Sequence, residues 1–267
     1  MTDTSIRQWY ESEYDEDTRL EGFSVEWLRH LELIGRVLPP APARVADIAG
    51  GTGRYAAWLA AQGYGVSLLD LVPTHVEAAE RRLAERGLKA DCVVGDARAL
   101  PWADETFEVV MVMGALYHLQ ERDDRLAVLA EARRILKPQG ALVTAHVCRW
   151  ASLFDGYYRG MVLDPEFRAI VATDLATGAH ENPNQRPHWF TSAYFHTPDE
   201  VRDEVTTSGF VDVQVLAVEG FTSTIEVPEP LRSGDGLTIV LDHLRATEAE
   251  PALLGASAHL VSLSRKP

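Results

Sequence analysis

Val45-Ala46-Asp47-Ile48-Ala49-Gly50-Gly51-Thr52-Gly53-Arg54-Tyr55 reads as a buried strand that runs into a glycine-rich turn and then a helix. Glycine has no side chain and tolerates positive φ, so such a turn lays bare backbone against a ligand. The amides at the start of the following helix point at that ligand. A dinucleotide fingerprint would space its glycines as G-x-G-x-x-G. Here Ala49, Gly51 and Gly53 alternate, and Asp47 stands two residues ahead of them. An acid that close suits a ligand carrying an ammonium group and suits a pyrophosphate poorly.

Working outward from this loop, strand-like and helix-like runs alternate. Residues 20–38 carry Phe23, Trp27, Leu28, Leu31, Ile34 and Leu38 at helical spacing and stop at Pro39-Pro40. Strands are expected at 45–49, 66–69, 90–94, 107–113 and 141–147, with helices at 54–62, 74–86 and 125–136. Lys137-Pro138-Gln139-Gly140 is read as a break before the last of these strands. Continuous apolar strands between amphipathic helices indicate a parallel sheet covered on both faces. Ligands of such sheets bind at the carboxyl ends of the strands. The rhythm fails between 150 and 195, where nine of the 22 aromatic residues gather. It returns with a helix at 198–208, a strand at 210–218, a helix at 236–246 and a last strand at 256–264. The expected domain plan is an N-terminal helical cover (1–38), an α/β core (39–149 and 197–267) and a cap insertion (150–196).

Composition bounds the function. The net charge of −15 opposes binding of a polyanion, which needs a basic face. No run reaches the roughly 20 apolar residues of a membrane span, and Met1-Thr2-Asp3-Thr4-Ser5 lacks the basic and apolar regions of a signal peptide. Cys92 and Cys148 lie in apolar strand-like runs and read as buried thiols. The expectation is a cytoplasmic protein with a small-molecule partner, no nucleic acid and no membrane. Oligomeric state is left open.

Five motifs follow one another in order. They are Asp47-Ile48-Ala49-Gly50-Gly51-Thr52-Gly53, Leu68-Leu69-Asp70-Leu71, Val94-Gly95-Asp96-Ala97, the strand Phe107–Met113 leading into Gly114-Ala115-Leu116-Tyr117-His118-Leu119, and Arg134-Ile135-Leu136-Lys137-Pro138-Gln139-Gly140-Ala141-Leu142. Together they resemble a class I S-adenosylmethionine-dependent methyltransferase of the bacterial small-molecule type. The usual first glycine of the loop is Ala49 here. The resemblance implies a Rossmann-like doubly wound sheet, mostly parallel with an antiparallel last strand, under an aromatic-rich helical cap. It implies S-adenosyl-L-methionine as cofactor, held by Asp47, Ala49, Gly50, Gly51, Gly53, Asp70, Leu71, Asp96, Ala97, Met113 and Gly114. In the family an acid placed like Asp70 receives both ribose hydroxyls. One placed like Asp96 meets the adenine amino group, and the amide placed like that of Ala97 meets a ring nitrogen. An N-terminal tyrosine segment covers the cofactor in similar enzymes, which points to Tyr14, with Arg19 pairing the methionyl carboxylate. A mobile acidic leader is the other reading of that segment.

Methyl transfer from a sulfonium is an in-line displacement, so alignment and exclusion of water matter most. A base is needed only for an acceptor that is protonated at neutral pH. Tyr117 and His118, past the fourth strand, are the candidate catalytic residues. The neutral-range pKa of an imidazole makes His118 the candidate base, and a packed cleft-lining residue is its other reading. His146 sits in a strand pattern and reads as a core histidine. His180, His188 and His196 are eight residues apart and match no usual metal site, so no metal is expected. Trp150, Tyr157, Trp189 and Tyr194 are the candidate acceptor-pocket wall, or else a second small core. Glu181, Asn182, Asn184, Gln185 and Arg186 either contact the acceptor or form a solvated loop. The acidic residues of 199–204 read as a solvated face. Methylation of a small organic molecule is the leading reading. A non-methylating use of the same cofactor (cyclisation or aminocarboxypropyl transfer), a non-catalytic binder and a nicotinamide oxidoreductase are its rivals.

Overall fold

The computed structural model describes residues 25–187 and 189–267. The expectations for Tyr14, Arg19 and His188 lie outside the described residues. Along the chain run α1 (Val25–Gly35), β1 (Arg44–Ile48), α2 (Arg54–Ala61), β2 (Gly65–Asp70), α3 (Pro73–Glu85), β3 (Asp91–Val94), β4 (Phe107–Val112), α4 (Arg122–Ile135) and β5 (Leu136–Val147). The insertion holds α5 (Ala151–Tyr158), α6 (Pro165–Thr177), β6 (Ala179–His180) and β7 (Ala193–Tyr194). Then follow α7 (Pro198–Thr207), β8 (Val211–Ala217), α8 (Gly234–Thr247) and β9 (His259–Arg265).

Seven strands form one sheet in the order β3-β2-β1-β4-β5-β9-β8. Neighbours from β3 through β5 are parallel, and β9 runs antiparallel to both β5 and β8. The fold is thus the Rossmann-like doubly wound sheet with an antiparallel last strand. Side-chain alternation divides the core in two. Val45, Val109, Met111 and Val143 face α1, α2 and α3, packing with Leu33, Ile34, Leu59 and Ala79. Ala46, Ile48, Val110, Val112 and Leu142 face α4, packing with Val128, Leu129, Ala132 and Ile135.

The break expected at 137–140 is part of a longer strand. β5 begins at Leu136, which pairs with Phe107 before the register shifts. Gln139 adopts φ +64°, and its amide donates to the Lys266 carbonyl while the Lys266 amide donates to that of Gly140. The Lys-Pro-Gln-Gly run is a bulge pinned between neighbours, not a loop. Within the insertion, Asp164 caps α6 through the Glu166 amide and Gly178 ends it at φ +81°. Thr197 and Glu200 form a capping box on α7.

Candidate active site

Register brings four strand ends level. Ile48 lies beside Leu69 and Val112, and Asp70 beside Val94. The loops that leave β1, β2, β3 and β4 therefore open into one cleft, as carboxyl ends do at a topological switch point. Backbone bonds stitch them together: the Gly50 amide to the Leu69 carbonyl, the Gly95 amide to that of Asp70, and the Met113 amide to that of Ile48. The cleft encloses about 1030 Å³, solvent at its mouth included, which is room for a nucleoside-sized ligand.

Ala49, Gly50, Gly51, Asp70, Leu71, Asp96, Ala97, Met113, Gly114, Tyr117 and His118 all line this cleft. Ala49 sits at φ +55°, so the loop holds an alanine in the left-handed region that glycine usually occupies. Gly53 sits at φ +78° where an added Cβ would stand 2.7 Å from that of Ala79. It packs the loop onto α3 and does not line the cleft. Asp47 is fully buried, with Oδ2 2.8 Å from where a Gly50 Cβ would be, so the acid lies beneath the loop. Thr52, Arg54, Tyr55, His75 and Arg98 also line the cleft. The expected cofactor set did not include them, because helix faces and turns bring them there. Tyr55, on α2, donates to or accepts from His30 of α1 at 2.7 Å.

Asp70 is held by three groups. Its Oδ2 accepts from the Gly51 amide at 2.9 Å, and its Oδ1 accepts from the Val72 amide at 2.9 Å and faces His75 Nδ1 at 3.2 Å. Asp96 is gripped by Arg98, whose guanidinium reaches both carboxylate oxygens at 2.6–3.1 Å.

At the other end, Leu116–His118 form one turn of 3-10 helix. The His118 ring contacts Tyr117 (centroids 4.6 Å) and stacks on Phe190 (5.8 Å). Burial pushes its pKa down to about 4, against the raising effects of a Ser192 backbone hydrogen bond and the Asp70 charge. The ring is therefore neutral at pH 7 and is not poised near neutrality, which corrects the premise behind its reading as a base.

The four aromatic residues expected at the acceptor wall do not come together in the cleft. Tyr157 is 72% exposed, whereas Trp189 is buried and packs edge-on against Phe167 inside the insertion. Trp150 covers Gly255. Tyr194 stands 3.8 Å from the Arg125 guanidinium carbon and donates to Glu200. Phe190 is the insertion ring that reaches Tyr117 and His118. Asn182 binds the backbone of Arg186 and Trp189, Asn184 binds Glu166, and Arg186 binds Asp164. These polar residues hold the insertion's own loop together.

The acidic face expected at 199–204 also proves different. Glu204 is buried and takes a bidentate Arg125, with His196 at 3.4 Å. Glu200 pairs with Arg149. His146 is buried as expected, with Nε2 2.7 Å from Thr144 Oγ1.

Residues 45–140 match the family model described as a methyltransferase domain. The chain is 32% identical over 200 residues to the ubiquinone/menaquinone biosynthesis C-methyltransferase of Desulfotalea psychrophila, spanning 72% of this chain and 74% of that protein. The chain belongs to the class I S-adenosylmethionine-dependent methyltransferases. A further relative is the demethylmenaquinone methyltransferase of Thermotoga maritima, 32% identical over 49% of this chain and 55% of that one. With this and several other curated relatives the methyltransferase matches about half of their length. Among solved structures, a methyltransferase from Methanosarcina mazei superposes with a TM-score of 0.59 at 19% identity, covering 88% of this chain and 96% of that one. A possible histamine N-methyltransferase from Thermotoga maritima gives 0.57 at 20%, covering 99% of both. Those two likenesses show the fold.

S-adenosylmethionine is the cofactor of this methyltransferase, and the cleft's donor set fits it. Asp70 would hold a ribose hydroxyl on the Oδ2 acceptor position that the Gly51 amide leaves open, with the backbone of the alternating loop beside it. When bound, the cofactor supplies a methyl group made electrophilic by its sulfonium. The protein would supply a fixed carboxylate at one end of the cleft and the rings of Tyr117 and His118 at the other. Among the described residues no helix is long and apolar enough to cross a membrane.

Proposed function

We propose that this methyltransferase methylates a small, largely apolar organic acceptor by in-line displacement. One observation carries the reading: the cleft that begins at Asp70 and Asp96 ends at Tyr117 and His118, and Phe190 of the insertion packs against both of those rings. The two acids read ribose and adenine, Ala97 offers its amide to the ring, and Asp47 sets the electrostatics beneath the methionyl end. The acceptor enters at the end of the cleft lined by Tyr117 and His118. The net charge of −15 adds to the case against a nucleic acid, and a cytoplasmic location accords with it.

Relatives named as C-methyltransferases of quinone biosynthesis favour a phenol or hydroquinone as the acceptor class. A solved neighbour titled a [4+2]-cyclase (TM-score 0.56, 20% identity) keeps a non-methylating rival in view. Product analysis separates the two. The enzyme, incubated with S-adenosylmethionine and a panel of phenols and hydroquinones, is expected to release S-adenosylhomocysteine and an acceptor 14 mass units heavier. Acceptor turnover that leaves the cofactor unchanged would refute methyl transfer.

A further inference from the structure

Arg125 lies near the start of α4 and turns its side chain back toward the residues that precede the helix. Its Nη1 donates to the Leu119 carbonyl at 2.8 Å and to the Gln120 carbonyl at 2.7 Å. Those carbonyls belong to the segment that leaves the cleft, whose Tyr117, His118 and Leu119 line it. The opposite edge of the same guanidinium meets Glu204 of α7. Nε lies 3.0 and 3.1 Å from the two carboxylate oxygens, and Nη2 lies 2.7 Å from Oε1. The face of the guanidinium lies against the Tyr194 ring of β7, its carbon 3.8 Å from the ring centroid.

One planar group therefore joins the cleft segment to α7 and to the hairpin of the insertion, with both side chains of the ion pair buried. Gln120 adds a second tie between segment and hairpin. Its Nε2 donates to the His180 carbonyl at 3.1 Å and stands 3.5 Å from that of Ala193, and those two residues pair across β6 and β7. A buried ion pair is costly unless both ions are well bonded. An ammonium would be enough to balance Glu204. Only a planar fork reaches a carboxylate on one side and two carbonyls on the other. The edge turned to Leu119 and Gln120 is the part of this contact that reaches the cleft.

We propose that Arg125 is a positioning residue for methyl transfer: with Gln120 it fixes the segment Tyr117–Gln120, and so the acceptor end of the cleft, against the insertion. The proposal rests on the methyltransferase reading above. In-line displacement depends on alignment of the nucleophile with the methyl carbon, and a misplacement of about 1 Å costs on the order of 10²-fold in rate. The rings at the acceptor end hold their place only as well as the backbone that carries them. The cofactor end is built separately: the Asp70 carboxylate is held by the Gly51 and Val72 amides and by His75, none of which Arg125 touches. Loss of the Arg125 fork therefore acts on the acceptor end and spares the cofactor.

The test is Arg125→Lys, which keeps a positive charge opposite Glu204 and removes the fork. In the full chain saturated with S-adenosylhomocysteine, hydrogen–deuterium exchange of residues 116–120 should quicken by at least about tenfold relative to residues 49–53. Affinity for S-adenosylhomocysteine by calorimetry should stay within about threefold of wild type. With a phenol or hydroquinone that the wild type turns over, kcat should fall roughly ten- to a hundredfold while KM for S-adenosylmethionine holds. The control for mere loss of stability is Ile34→Ala, which opens the core at α1 and should leave the exchange ratio near wild type. An exchange ratio in Arg125→Lys no higher than in Ile34→Ala would overturn the proposal. So would a wild-type kcat, or a loss of cofactor affinity in step with kcat, since Arg125 would then support the whole cleft. Failure of the wild type to bind S-adenosylhomocysteine would instead overturn the cofactor reading beneath it. If Arg125→Lys does not fold, Gln120→Ala cuts the tie to His180 in its place, and unchanged exchange of 116–120 in that variant counts against the proposal.

Discussion

Replacing Asp70 with alanine should weaken S-adenosylhomocysteine binding by about one charge-assisted hydrogen bond. The carboxylate has two oxygens with roughly four acceptor positions. Three are taken, by the Gly51 amide on Oδ2 and by the Val72 amide and His75 on Oδ1. One position on Oδ2 is left for a ribose hydroxyl, so a symmetric grip on both hydroxyls requires His75 to yield. A hydrogen bond to a charged group contributes about 1.5–3 kcal/mol, which corresponds to a loss of roughly 10- to 150-fold in affinity. The same substitution leaves the Gly51 and Val72 amides without their acceptor, and each such buried group costs about 1–3 kcal/mol. The melting temperature should therefore fall as well. The assay is titration calorimetry at a temperature where both proteins are folded, checked by circular dichroism. Affinity within twofold of wild type in a folded Asp70→Ala protein would refute the assignment. A loss beyond about a thousandfold would show that the loop had collapsed and that the effect was not one hydrogen bond.

Three further outcomes are expected. Ala49→Gly relieves an alanine held at φ +55°, a conformation that costs L-residues about 1–2 kcal/mol. Scanning calorimetry should show a melting temperature a few degrees higher, with cofactor affinity unchanged. Glu204→Gln leaves Arg125 buried without its charge partner and should destabilise by about 3–5 kcal/mol in urea unfolding; a loss under 1 kcal/mol would show the pair to be hydrated. Acid should unfold the protein in two stages. His118, at about 4, and His146 and His196, also lowered, are all held down chiefly by burial. Lowered pKa values mean that the unfolded chain binds more protons, so stability is full above about pH 6.5 and falls below it. Glu204 and Glu32 are held at about 2 by Arg125 and His196 and by Arg245, Arg36 and Arg29 respectively, against the opposing effect of burial. Their contribution persists above about pH 4.5 and is lost toward pH 2. Melting temperatures that stay flat from pH 7 to 5 would contradict the histidine part.

The chain's order of apolar runs determined the sheet, its two faces and the glycine loop. Each of these depends on neighbours in sequence: alternation along a strand, periodicity along a helix, and φ freedom at a turn. For the same reason Asp70, Asp96, Met113 and Gly114 were legible, since they stand directly after strand ends that a parallel sheet must align. The tertiary structure decided what distant segments do to one another. Arg125 and Glu204 are separated by 79 residues, and each alone reads as a solvated charge; packing α4 against α7 buries both. Residues 150–196 read as one aromatic wall, yet the β6–β7 pairing puts His180 and Phe195 on one face, where their rings stack, and Tyr194 and His196 on the other. Trp189 joins an inner core while Tyr157 faces solvent. Ala49 belongs to both accounts: sequence marks it as the irregular member of the loop, and the backbone at φ +55° shows the steric reason a glycine is usual there.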